Sequence, residues 1–178
     1  MPGPLHRFFA EDHRRLQALL ERAAAEPDRV DPAPFAEFRA GILRHIGMEE
    51  KVLFTAARTA RGGEPLPLAG RLRVDHGAIA ALLVPTPTPA LVSDVVSVLS
   101  PHNRREEDPG GAYDQCDSAL GPAAADALVE ELRRFPIPPV KPYNDGPEVL
   151  AHIEQTLAAS RRQWEEPPPL ATGREKER

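Results

Sequence analysis

Two segments of the chain set an imidazole and a carboxylate four residues apart, His45 with Glu49 and His102 with Glu106. In an α-helix that spacing stacks the two side chains on one face, so each pair forms a two-pronged claw. Both claws continue an apolar stripe: Phe35, Phe38 and Ile42 precede the first, and Leu91, Val95 and Val98 or Leu99 precede the second. A carboxylate buried on such a face without a cation is costly, and a divalent or trivalent metal ion removes the cost. His13 interrupts a third stripe (Leu5, Phe8, Phe9, then Leu16, Leu19, Leu20), and His76 a fourth (Leu72, then Ile79 and Leu83). The expected metal ligands are therefore His13, His45, Glu49, His76, His102 and Glu106.

Four imidazoles and two carboxylates suit iron, manganese or zinc better than magnesium or calcium, which prefer all-oxygen shells. The single cysteine, Cys116, argues against a thiolate zinc site. With the carboxylates bridging two metals, each metal would have about two histidines and two bridging oxygens, leaving positions open for water, hydroxide or dioxygen.

The elements that must carry these donors are helices. Apolar residues recur at helical spacing over about residues 4–25, 34–59, 67–83 and 89–106, with proline or glycine between the stretches. Asp31 is placed to cap the second helix, with Pro32 or Pro34 in its first turn, and Ala56 continues that helix's inward face beyond Val52 or Leu53. Pro101, directly before His102, predicts a break: Ser100 should cap a fresh short segment that carries the second claw. His13 and His45 fall at similar heights in an up-down pair. His76 and His102 are mismatched by roughly 7 Å at 1.5 Å per residue, which a kink or an extended start must absorb. No run alternates with period two, so the fold class is all-α.

The expected architecture is an up-down four-helix bundle over residues 1–120 with additional C-terminal helices. Helices over about 122–134 and 147–162 form an extension, residues 121–164, packed on the bundle or on a partner, and residues 165–178 read as a disordered tail. Val149, Leu150, Ile153 and Leu157 form the apolar stripe of the last helix. At 178 residues one domain is expected, and the net charge of -5, without a basic stripe, argues against nucleic acid. No apolar run is long enough for a membrane span, the N-terminus lacks a secretory pattern, and one cysteine forms no disulfide framework, so a cytoplasmic location is expected.

Residues beside the claws divide by geometry. Asp12 and Asp75 precede His13 and His76, and a neighbour one residue on points about 100° away. Either forms a salt bridge on a solvated helix side or orients an imidazole of another helix. Glu50 and Glu107 read as exposed charges, with Glu107 the spare ligand if the register slips at Pro101. Tyr113 is expected to fill the bundle end rather than close the site, Cys116 to be a small core residue, and His6 and His152 to lie at or near the surface.

The local text around the donors is Glu11-Asp12-His13-Arg14-Arg15-Leu16, His45-Ile46-Gly47-Met48-Glu49-Glu50-Lys51-Val52-Leu53-Phe54, Asp75-His76 and His102-Asn103-Arg104-Arg105-Glu106-Glu107. It resembles the hemerythrin-like cation-binding family, or HHE domains, whose pattern is His, H-x-x-x-E, His, H-x-x-x-E. The resemblance covers about residues 5–120. It implies two non-haem iron ions with an oxo or hydroxo bridge, Glu49 and Glu106 as bridging carboxylates, and dioxygen or nitric oxide binding or a role in iron handling. One departure is Ala80, which stands where oxygen-carrying hemerythrins have a second histidine four residues after the first. That argues against simple oxygen carriage and toward iron sensing or storage, or peroxide or nitric oxide chemistry. Three readings follow: a di-iron module that binds dioxygen or nitric oxide or senses or stores iron; a di-iron enzyme acting on peroxide or nitric oxide; and an interaction bundle with a structural metal. In the last, the C-terminal helix docks a partner, a second copy of the chain among the candidates.

Overall fold

The computed structural model describes residues 1–165, which form helices and no strand. The helices are α1 (Pro4–Ala23), α2 (Pro32–Met48), α3 (Phe54–Ala60), α4 (Ala69–Leu82), α5 (Pro89–Glu107), α6 (Ala112–Leu120), α7 (Pro122–Arg133) and α8 (Pro147–Glu165). Among these residues no helix is long and apolar enough to cross a membrane. The expected tail lies outside the described residues except for Glu165, which closes α8.

One helix start is secured as the sequence suggests, and others by contacts seen only in the structure. Asp31 caps α2, its Oδ1 accepting from the Ala33 amide at 3.0 Å, and prolines occupy the first turn. Thr88 caps α5 through Leu91 N–H at 3.2 Å. α1 has no cap of its own, and its free amides are met from a distance: Asp117 of α6 accepts from Leu5 at 3.1 Å and His6 at 3.0 Å.

Between α2 and α3 the chain does not break. A π-helical turn, Glu49–Leu53, joins them, and the Phe54 amide reaches back to the Glu49 carbonyl. The wider turn absorbs an extra residue and rotates everything after it. Ala57, not Ala56, is consequently buried on α3, together with Phe54. The break expected at Pro101 is also absent: α5 runs through it to Glu107. The bond lost is to the carbonyl of Ser97, an exposed residue where water can substitute, so the cost of an internal proline is reduced.

Helices α1, α2, α4 and α5 contribute to one interior with two apolar layers. One contains Leu16, Leu20, Phe38, Ile42, Ile79 and Val95; the other contains Leu5, Phe9, Met48, Leu53, Leu72 and Cys116. On α1, His13 falls between Phe9 and Leu16; on α2, His45 falls between Ile42 and Met48; on α4, His76 falls between Leu72 and Ile79. The polar residues thus form a slab closed by apolar side chains on both sides.

The height mismatch of His76 and His102 is taken up by the connection. α4 continues for about 9 Å beyond His76, and α5 begins about 20 Å before His102, at 1.5 Å per residue. Residues 83–88, non-helical and containing Pro85 and Pro87, span the difference.

α8 packs along α4, burying Ile153 and Leu157 against the first layer, while Leu150, expected on that stripe, is exposed. The connector before it is pinned by Arg39, a buried α2 residue whose guanidinium donates to the carbonyls of Leu83 (2.7 Å) and Lys141 (2.9 Å) and stacks on Tyr143. Arg39→Ala should lower stability by about 2 kcal/mol, since it orphans the buried Leu83 carbonyl, and urea unfolding would show it.

Candidate metal centre

All six donors expected from the sequence are buried and converge in the polar slab. Their arrangement has two halves. Around one position lie Nε2 of His13 and His45, Oε1 of Glu49 and Oε2 of Glu106, with His45 3.4 Å from the Glu49 oxygen and His13 3.6 Å from the Glu106 oxygen. Around the other lie Nε2 of His76 and His102 with the opposite carboxylate oxygens: Glu49 Oε2 is 3.1 Å from His76, and Glu106 Oε1 is 3.2 Å from His102. Each carboxylate therefore turns one oxygen to each half. Donor atoms of Glu49, His76, His102 and Glu106, and separately those of His13, His45 and Glu49, all lie within 4.8 Å of one another.

The far nitrogen of every imidazole is held by a second carboxylate, each from another helix. Asp12 (α1) holds His45 (α2) at 2.9 Å, and Glu50, in the π turn after α2, holds His76 (α4) at 2.9 Å. Asp75 (α4) holds His102 (α5) at 3.3 Å, and Glu107 (α5) holds His13 (α1) at 2.6 Å. The ring closes on itself. With Nδ1–H donating outward, each Nε2 lone pair faces the interior, which is how outer carboxylates prepare histidine for a metal. Asp12 and Asp75 do serve other helices, as their 100° offset required. Glu50 and Glu107 are not the plain exposed charges expected. The signal was in the text, because both claws end in a Glu-Glu doublet and both lone histidines follow an Asp.

Tyr113 was expected to fill the bundle end, and it stands inside the centre instead. Its hydroxyl lies 2.6 Å from Glu49 Oε1, 3.2 Å from Glu106 Oε2, 3.2 Å from His13 Nε2 and 3.4 Å from His45 Nε2. α6, which carries it, was not foreseen beyond the Asp108-Pro109-Gly110-Gly111 stop. Phe9 stacks on its ring at 5.0 Å. Burial and the charges of Glu106 and Glu49 raise its pKa well above the usual phenol value, so it stays protonated and donates. Cys116 is fully buried, which raises its thiol pKa and leaves it an inert core residue. His6 is partly buried against Asp114 at 2.7 Å, and His152 is exposed.

The electrostatics call for positive charge. Burial pushes His45 down, but the Glu49 charge and the Asp12 hydrogen bond outweigh it and raise it to about 9. Burial likewise opposes His76, which the nearby Glu49 carboxylate and the Glu50 hydrogen bond carry to about 10, and His102, which Glu106 and Asp75 carry to about 9. The two rings oppose each other, because their Nε2 atoms are 3.1 Å apart and the charge on His76 lowers His102, but the carboxylates outweigh this. Glu49 is raised by burial and lowered further by His45 and His76, leaving it well below the usual carboxylate range. Even so, Glu49 Oε2 and Glu106 Oε1 are buried without a hydrogen-bond donor aligned to them, despite the nearby imidazoles. Two orphaned oxygens facing two crowded ring nitrogens fit a cation between them, so the residues present suit a metal.

A cavity of about 470 Å³ opens between α1 and α5, floored by Leu20, Phe38 and Leu99, and reaches His13 and Glu107. No family model, curated protein or solved structure matches the chain.

Tyr113→Phe should keep the fold, since the stacking on Phe9 survives. Metal-free protein should lose about 1–3 kcal/mol, because a buried carboxylate loses its shortest hydrogen bond, and metal-loaded protein less. Denaturant unfolding of the two forms gives the comparison.

Proposed function

We propose that the chain is a hemerythrin-like, up-down four-helix bundle whose interior holds two non-haem iron ions, and that it binds dioxygen or nitric oxide or reports or stores iron. The observation carrying this reading is the split of both carboxylates: Glu49 and Glu106 each turn one oxygen to the His13/His45 half and the other to the His76/His102 half. That is the disposition a carboxylate needs to serve two metal ions at once. The donor set suits iron, manganese or zinc, and the resemblance to hemerythrin-like domains favours iron.

Bound iron would supply one-electron redox chemistry and coordination positions for a small molecule. The chain's own contribution is preparation. The ring of Asp12, Glu50, Asp75 and Glu107 fixes each imidazole's orientation, so little conformational freedom is lost on loading. The apolar layers keep bulk water from the slab. Tyr113 holds Glu49 and presents a neutral phenol at the His13/His45 half.

That buried proton donor also favours a second reading, an enzyme that consumes peroxide or nitric oxide. Protein purified without chelator should carry about two irons per chain and show charge-transfer bands between roughly 300 and 400 nm that disappear in His45→Ala. Metal-free protein that refuses iron on reconstitution would overturn the di-iron reading. Peroxide or nitric oxide loss far above the protein concentration would select the enzyme, whereas a stoichiometric spectral change would select the binding module.

A further inference from the structure

We propose that Ser160, Gln163 and Trp164 of α8 are positioning residues for the metal centre, acting through Asp75 on His102, so that the C-terminal helix tunes one of the two metal positions and leaves the other alone. The proposal rests on the dinuclear reading above.

The four outer carboxylates are not equivalent. The side chains of Asp12, Glu50 and Glu107 keep 13%, 19% and 32% of their surface exposed, whereas that of Asp75 keeps 1%. What covers Asp75 is the end of α8. Its Oδ1 accepts from Ser160 Oγ at 2.5 Å, Gln163 Nε2 at 2.8 Å and Trp164 Nε1 at 3.1 Å. Its Oδ2 accepts from Trp164 Nε1 at 3.0 Å and from His102 Nδ1 at 3.3 Å. The indole N–H thus straddles both oxygens and sets the plane of the carboxylate that faces His102.

A competitor stands beside it. Arg105 stacks its guanidinium on the Trp164 ring at 3.6 Å, and its Nη1, buried without a hydrogen-bond partner, lies 4.0 Å from Asp75 Oδ2. The α8 donors keep Asp75 turned to His102. Without them the carboxylate can swing to Arg105, and His102 loses the partner that orients its ring. Asp12, Glu50 and Glu107 have no such contact with α8, so the His13/His45 half is insulated from it.

The test uses the full chain and cobalt(II), titrated against a competing chelator and followed by visible absorbance. Native protein takes up about two ions. Trp164→Phe keeps a ring over Arg105 but removes the N–H, and is expected to weaken one ion roughly 10- to 100-fold while the other is unchanged. Ser160→Ala should weaken the same ion by less. Glu107→Gln should weaken the other ion, and combining it with Trp164→Phe should lower both independently. Unchanged binding of both ions in Trp164→Phe and Ser160→Ala overturns the proposal while the metal centre stands. Equal weakening of both ions, with a lowered melting temperature of the metal-free protein, reduces α8 to general support and also overturns it. Failure of native protein to bind cobalt(II) sinks the dinuclear reading itself, and this proposal with it.

Discussion

Glu49→Gln should leave the protein with almost no bound metal, whereas His13→Ala should retain about one ion per chain. Glu49 belongs to both groups of donors, its Oε1 toward His45 and its Oε2 toward His76, so a single substitution strikes both positions. The amide keeps the carboxylate's shape, but it removes the negative charge and turns a donor toward one of the ions. His13 belongs only to the smaller group, and the four donors Glu49, His76, His102 and Glu106 remain intact without it. Losing an outer partner of a metal-bound histidine already costs about 10- to 100-fold in affinity, and losing the ligand should cost more. Metal content per chain after loading and gel filtration distinguishes the variants. Equal loss from Glu49→Gln and His13→Ala would mean that the carboxylate does not serve two ions.

The second large effect is on pH, and it differs between the metal-free and metal-loaded protein. His45 and His102, raised to about 9, and His76, raised to about 10, bind protons more tightly folded than unfolded. Their contribution to metal-free stability is fully present below the unfolded value near 6.5 and is lost as pH rises through about 9 to 10. Metal binding runs the other way, because Nε2 of His45, His76 or His102 must release any proton it holds before it can ligate. The preference for the loaded form should grow by about 1.4 kcal/mol per pH unit for each proton displaced. Metal-free protein should therefore melt at falling temperature from pH 6.5 to 9, and the gap to manganese-loaded protein should widen over the same interval. With free metal a thousandfold above Kd the loaded form gains about 4 kcal/mol, roughly 10 °C for a chain of this length. Parallel melting curves across the range would show that the imidazoles release no protons on loading.

The parts of the centre differ in how far they could be read from the chain. His45 with Glu49 and His102 with Glu106 were legible because a four-residue offset on a helix is local geometry, independent of what the helix packs against. The inward face of α3 was misread by one residue, Ala56 for Ala57, because a π turn has no marker in the local text that helical periodicity detects. Pro101 was read as a break on intrinsic preference, yet α5 continues because packing of His102 and Glu106 in the interior outweighs one bond lost on an exposed face.

The amino-acid order by itself determined that the chain is helical and that His13, His45, Glu49, His76, His102 and Glu106 fall on inward faces, since both follow from repeats of three and four residues and from where proline and glycine fall. Which carboxylate meets which imidazole was decided only by tertiary structure. Asp12 reaches His45, Glu50 reaches His76, Asp75 reaches His102 and Glu107 reaches His13 across helices whose relative rotation and height no local pattern specifies. The same holds for Tyr113, brought to Glu49 by a short helix after a glycine turn, and for Trp164, brought to Asp75 by the docking of α8 on α4. These contacts join residues far apart in the chain, and their geometry is set by packing the whole interior at once.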